Sequence, residues 1–199
     1  VYKRQFINQL VHNTFVAHAK VVEKVHTIAD AKVLGMVIYI PAYAATCNPL
    51  DELESRNQMA LTDMYFDMFT YGEYSSYMMA KMKNENNLPK MLDGDLELLK
   101  KNKVDWLSLS YYFSTVASHG KLSIEMNGNA KAATNPYLKA SEWGWQIDPL
   151  GLRIGLRDIY AKYRLPIMVV ENGFGMRDIL ENETVIDDTR ICLLYTSPS

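Results

Sequence analysis

Three short apolar runs, each set behind a helical pattern, restrict the folds open to this chain more than any other feature. They are 33–40 (VLGMVIYI), 104–112 (VDWLSLSYY) and 166–172 (PIMVVEN). The order along the chain is helix, strand, helix, strand, loop, helix, strand. Such alternation implies parallel strands joined by right-handed crossovers. The first run is apolar without a break up to Pro41, which predicts a strand covered on both faces. The third also reads as a short, fully buried strand, closed by the Asn172-Gly173 turn. A complete (β/α)8 barrel takes about 250 residues. At 199 residues, the chain is expected to hold part of one, or to be a small three-layer α/β domain.

The helical patterns are equally specific. From 6 to 26, Leu10, Thr14, Ala17, Val21 and Val25 form one stripe, widened by Val11, His18 and Val22. Asn48-Pro49 predicts an N-cap and a first-turn proline, with Leu61, Met64, Tyr65, Met68 and Phe69 on one side of the helix that follows. Asp93 or Asp95 is expected to cap a shorter helix through Leu96, Leu98 and Leu99. The polar stretch 114–146 has no clear period and reads as a long loop. Asp148-Pro149 opens another helix, with Leu152, Leu156, Ile159, Tyr160 and Tyr163 on its buried side.

Composition excludes several classes of function. A net charge of −2 with no basic block argues against a nucleic-acid partner. No apolar run is long enough to span a bilayer, so no membrane role is expected. Two cysteines, Cys47 and Cys192, make no disulfide framework, and a reducing, cytoplasmic setting follows as the default. The sequon Asn182-Glu183-Thr184 then carries no meaning. His12, His18 and His26 lack the i, i+3/i+4 spacing of a helical metal site and are expected to be ordinary helix histidines. Glu52, Glu54, Asp63, Asp67 and Glu73 are expected on a solvated face.

The chemistry is expected at the strand ends. Glu171 lies at the C-terminal end of its strand, where α/β barrels carry catalytic side chains. A solvated strand-end acid, or a cap for the next helix, reads the motif equally well. In 104–112, Leu107, Leu109 and Tyr111 share one face while Ser108, Ser110 and Tyr112 share the other. A small, polar face of this kind suits a strand whose polar side looks into a barrel.

These residues resemble a known family. Val169-Val170-Glu171-Asn172-Gly173-Phe174-Gly175 is similar to the nucleophile signature of glycoside hydrolase family 1, the β-glucosidase clan. The 104–112 run resembles its sixth strand, which usually ends Asn-Tyr-Tyr. Residues 135–153 (NPYLKASEWGWQIDPLGLR) resemble the bacterial 6-phospho-β-glucosidase branch, and 8–24 resemble the helix after the family's acid/base strand. The resemblance covers residues 6–191.

The resemblance implies an α/β fold, a partial (β/α)8 TIM barrel with strands 5–7 and their helices. It implies a retaining glycosidase that cleaves a phosphorylated β-glucoside, a small-molecule carbohydrate, with no metal and no organic cofactor. Glu171 matches the nucleophile and Tyr112 the tyrosine that orients it. Trp145 matches an aromatic sugar platform, with Asn172 and Ser110 also on the substrate side. A ring packed on the core remains open for Trp145, and a purely structural hydroxyl for Tyr112. Ser110, where plain β-glucosidases usually have Asn, marks the branch. The family's acid/base motif, Thr-Phe-Asn-Glu-Pro or a variant, is not in this sequence, so an inactive fragment is expected. Residues 1–5 and 192–199 do not continue the family pattern and are expected to be adapter or assembly sequence. Two rival readings are a β-glucosidase or β-galactosidase of the same family without phosphate preference, and a non-catalytic sugar-binding α/β module.

Overall fold

The computed structural model describes residues 2–28, 30–120, 125–126, 130–131, 134–173 and 175–196. Phe174 of the strand-end motif, Val1 and residues 197–199 of the two ends, and parts of the 114–146 stretch lie outside the described residues. In chain order the elements are α1 (Tyr2–Val25), β1 (Leu34–Ile38), β2 (Ala42–Ala44), α2 (Pro49–Tyr71), α3 (Ser76–Asn84), α4 (Asp95–Lys101), β3 (Trp106–Tyr111), β4 (Thr115–Ala117), β5 (Glu125–Met126), β6 (Ala130–Lys131), α5 (Pro149–Tyr163), β7 (Ile167–Asn172), β8 (Leu180–Glu181), β9 (Thr184–Val185) and α6 (Asp188–Thr196). The expected alternation is present and the fold is α/β; β2 and β4 pair in parallel, while β5–β6 and β8–β9 are short antiparallel pairs. The three apolar runs form one sheet in the order β1-β3-β7. Close packing divides the chain into two compact units, Val1–Val37 with Ala60–Ser108 and Leu165–Met168, and Ile38–Met59 with Leu109–Arg164 and Val169–Ser199.

In the first unit α1 buries His12, Phe15, Ala19 and Val22. This is a helical stripe, but not the expected one: Leu10 and Val21 are exposed (56% and 55%). The helix carries two overlapping apolar stripes, and specific partners select between them. Phe15 meets the rings of Tyr65, Phe69 and Tyr74 at 5.2, 6.0 and 6.2 Å between centroids. Buried His12 lies between the Tyr74 hydroxyl (3.0 Å) and Asp95 Oδ2 (3.1 Å). Asp95 is therefore not a cap. Gly94, in the left-handed region, precedes α4, and the Asp95 carboxylate accepts from the Leu92 backbone N–H at 2.7 Å. Asp105 accepts from the Val33 N–H (2.8 Å) and pairs with His26 (2.9 Å), tying the start of β3 to the segment before β1. Asp67 is buried rather than solvated. The 76–84 helix, too short to show a clear period, is capped by Ser75, whose side chain accepts from Met78 N–H.

The second unit is organised around Asp148. Its Oδ2 accepts from Tyr43 OH (2.9 Å) and Ser114 Oγ (2.6 Å), its Oδ1 accepts from Gly151 N–H (2.9 Å), and its carbonyl accepts from Tyr111 OH (2.5 Å). The expected N-cap of α5 is thus also the junction of β2, β3 and the start of β4. The described residues of the 114–146 stretch include regular pairing that its sequence does not predict. Its first residues pair in parallel with β2, Ala42 to Thr115 and Ala44 to Ala117. Three-residue strands of alanine, threonine and valine give no period to read. Asn182 and Glu183 both adopt positive φ (49° and 61°) between β8 and β9, the signature of a type I′ hairpin.

Two strand readings need correction. In β1, Leu34, Met36 and Ile38 are 40%, 46% and 59% exposed while Gly35 and Val37 are buried, so only one face is covered. In β7, Met168, Val169 and Val170 are 43%, 37% and 41% exposed. Both strands flank β3 at the margins of the sheet; among the described residues β1 is covered on one face, and β7 has no buried residue on either face. Of the three strands in this sheet, among the described residues, β3 alone has both faces buried, apart from Trp106. Leu61 and Tyr160, expected on buried faces, are also exposed.

Replacing Asp148 by Ala leaves two buried or half-buried hydroxyls and a helix-start N–H without an acceptor. Asp148→Ala should lower unfolding free energy by about 2–4 kcal/mol in urea denaturation. At Gly35 an added Cβ would sit 2.6 Å from the Phe69 ring, so Gly35→Ala should cost about 1–3 kcal/mol in the same assay.

Candidate active site

Glu171 lies at the end of β7, beside β3 in the same sheet, and two hydroxyls meet it there. Ser110 Oγ donates to Glu171 Oε2 at 2.7 Å and Tyr112 OH donates to the same oxygen at 2.5 Å. Residues 110 and 112 fall on one face because strand side chains alternate with period two. Ser110 is fully buried, Tyr112 half-buried and Glu171 exposed. The Tyr112 hydroxyl, and after it Ser110, hold the Glu171 carboxyl below the usual glutamate range. The same bond raises the Tyr112 phenol. Both shifts have one meaning: the proton stays on tyrosine and the negative charge on Glu171.

The backbone carrying Tyr112 is fixed from the opposite side. Tyr111, the last residue of β3, is buried, and its hydroxyl is bonded to the Asp148 carbonyl. Trp145 stands beside Tyr112 and Phe113, with ring centroids at 5.7 and 5.4 Å, and meets Trp143 edge-on at 6.3 Å. Its loop is closed by Ser141 N–H donating to the Trp145 carbonyl (2.8 Å) and by a bridge between Ala140 and Gln146. Gly175 lies directly against the Trp143 indole, leaving no room for a side chain, and Arg177 N–H donates to the Glu142 carboxylate. The loop bearing Trp145 is therefore packed on the segment that follows Glu171. Gly173 turns that segment away from the strand with φ of +148°, a conformation essentially reserved for glycine.

Of the residues singled out in the sequence, the structure gathers Glu171, Tyr112, Ser110 and, through its ring contact with Tyr112, Trp145. Asn172 ends β7 one residue after Glu171, and strand alternation puts it on the opposite face. The Ser110 hydroxyl, expected on the substrate side, is bonded to Glu171. Sequence reasoning missed Tyr43 and Ser114 on Asp148, and the Trp143–Gly175 contact. Their only trace was the Asp-Pro pair and the tryptophan spacing in 141–149.

Among the described residues no group of three or more His, Cys, Asp or Glu is placed to hold a metal ion. The helix histidines have ordinary partners: His12 and His26 as given above, and His18 against the Phe69 ring at 4.8 Å. Among the described residues no helix is long and apolar enough to cross a membrane.

Comparison with known proteins gives a single family. The model of glycosyl hydrolase family 1 matches residues 2–196. The chain is 39% identical over 187 residues to the aryl-phospho-β-D-glucosidase BglH of Bacillus subtilis, covering 92% of this chain and 40% of that protein. It is 40% identical over 196 residues to a 6-phospho-β-glucosidase of Clostridium longisporum, covering 94% and 41%. Among solved structures, the family 1 β-glucosidase of Thermotoga maritima superposes with a TM-score of 0.80 at 21% identity, covering 97% of this chain and 43% of that one. A β-glucosidase of Exiguobacterium marinum gives 0.74 at 26% identity, covering 94% and 42%. The chain thus spans about 40% of the length of the curated relatives it matches, its fold is that of part of a (β/α)8 barrel, and it belongs to glycosyl hydrolase family 1.

Proposed function

We propose that this chain is the nucleophile-bearing part of a retaining glycoside hydrolase that cleaves 6-phospho-β-glucosides. The observation that carries the reading is the Glu171 carboxylate at a strand end, held ionised by two hydroxyls on one of its oxygens. An ionised carboxylate with an unencumbered second oxygen is what attack on an anomeric carbon requires. The phosphorylated substrate class is supported by relatives named as phospho-β-glucosidases at 34–40% identity. The Trp145 ring, half-buried beside Tyr112, offers a flat apolar face to a sugar.

In this mechanism Glu171 bonds to the anomeric carbon as the glycosidic C–O bond breaks, and a second carboxylic acid protonates the departing oxygen. Water, deprotonated by that same group, then releases the sugar. Retaining enzymes hold the two carboxyl groups about 5–5.5 Å apart. In this reading the second acid is not in this sequence, so the chain alone does not turn over substrate. A phosphorylated sugar and the exposed thiol of Cys47 support a cytoplasmic setting.

The test uses a longer chain containing this one and the rest of the barrel. Glu171→Gln there should reduce hydrolysis of an aryl 6-phospho-β-glucoside at least about 10³-fold, and a 2-fluoro-6-phosphoglucoside should label Glu171. Faster cleavage of the unphosphorylated glucoside would point to a plain β-glucosidase, and absence of labelling to a binding module.

A linkage effect is expected in the present chain. Because the folded carboxyl lies below its ordinary value of 4.5, the stabilisation is complete above that pH and is lost as pH falls through the folded value. Tyr112→Phe removes the larger cause. Its stability deficit should therefore be greatest above about pH 4.5 and narrow on acidification, as read from unfolding midpoints across pH.

A further inference from the structure

The environment of Ser110 assigns it a role different from a substrate contact. Its relative exposure is 0%, which leaves no surface for a ligand atom to touch. Its single hydroxyl proton is directed to a carboxylate. Ser108, two residues earlier on the same face and equally buried, instead donates to the Gly35 carbonyl at 3.3 Å. A backbone carbonyl is the ordinary acceptor for a serine in a sheet, and Ser110 departs from it.

The acceptor is also unevenly loaded. An ionised carboxylate has about four acceptor positions over its two oxygens. Ser110 and Tyr112 both bond Oε2, and among the described residues no donor reaches Oε1. The two donors come from positions i and i+2 of one chain segment, so the β3 backbone fixes their spacing. Two bonds converging on Oε2 restrict rotation of the carboxylate more than Tyr112 alone could, since one bond leaves a pivot.

We propose that Ser110 is a positioning residue for Glu171: with Tyr112 it pins Oε2 and leaves Oε1 as the oxygen presented for reaction. The role of Oε1 rests on the reading of Glu171 as a nucleophile; the contact itself does not. The short serine arm reaches only its strand neighbour, which suits a donor aimed at β7 rather than at a sugar.

The full chain labelled with ¹³C at the glutamate carboxyls tests this by NMR titration, with Glu171→Gln identifying the Glu171 signal. Ser110→Ala should raise the Glu171 midpoint by about 0.5–1 pH unit. Ser108→Ala should leave it in place, and Ser110→Thr, which keeps a hydroxyl, should return it to the wild-type value. The proposal is overturned if Ser110→Ala titrates like wild type, if Ser108→Ala moves the midpoint as far, or if Ser110→Thr titrates like Ser110→Ala. Should Ser110→Ala fail to fold, Ser110→Cys, with its weak S–H donor, decides the matter: a raised midpoint supports the contact and an unchanged one refutes it. This titration reads Ser110 whether or not Glu171 attacks a sugar. Mechanism-based labelling of the longer chain reads Glu171 alone, so the two failures are distinguishable.

Discussion

Strand β3 is the constraint from which the site is built. It is the middle strand of its sheet and has both faces buried, and its period-two alternation divides them by task. Leu107 and Leu109 fill the core on one side, and Tyr111 ends that row by reaching the Asp148 carbonyl. Ser110 and Tyr112 occupy the other side and hold the Glu171 carboxylate. Adjacent tyrosines thus do opposite things. Tyr111 anchors the strand end, and Tyr112 uses that anchored position to orient a charge. A shift of one residue in the strand's register would exchange the two faces and lose both contacts.

Asp148 provides the second support. A buried carboxylate is costly without donors, and this one has three, with a fourth bond at its carbonyl. Its partners come from β2, the end of β3, the segment after it and the start of α5. An N-cap that also joins two strand ends can set the height of the loop carrying Trp145 relative to Tyr112.

Much of this was legible in the sequence, for physical reasons. The alternation of Leu107, Ser108, Leu109, Ser110, Tyr111 and Tyr112 determined which side chains share a face, and Asp148-Pro149 marked a helix start through local chemistry alone. The resemblance placed Glu171 beside Tyr112, and the two are bonded. What could not be read depends on partners distant in sequence. The stripe of α1 that is buried was decided by Tyr74 and Asp95, far along the chain. The pairing of β2 with β4 joins segments about seventy residues apart, and the acceptor of Ser110 lies sixty-one residues away. Apolar character in β1 and β7 predicted burial on both faces, whereas burial needs an element to do the covering. The chain spans about 40% of the length of its curated relatives, and the apolar faces of β1 and β7 are bare among the described residues.

The marginal place of β7 in its sheet has a mechanical consequence. Among the described residues the carboxylate rides on a strand braced along one flank, by β3, so its transverse coordinate is governed there as a cantilever is governed by its wall. A further strand laid along the open flank would clamp the backbone beneath Glu171 from both sides. Wobble in the acid's lateral position would then be set by the stiffness of the whole sheet rather than by one row of bonds.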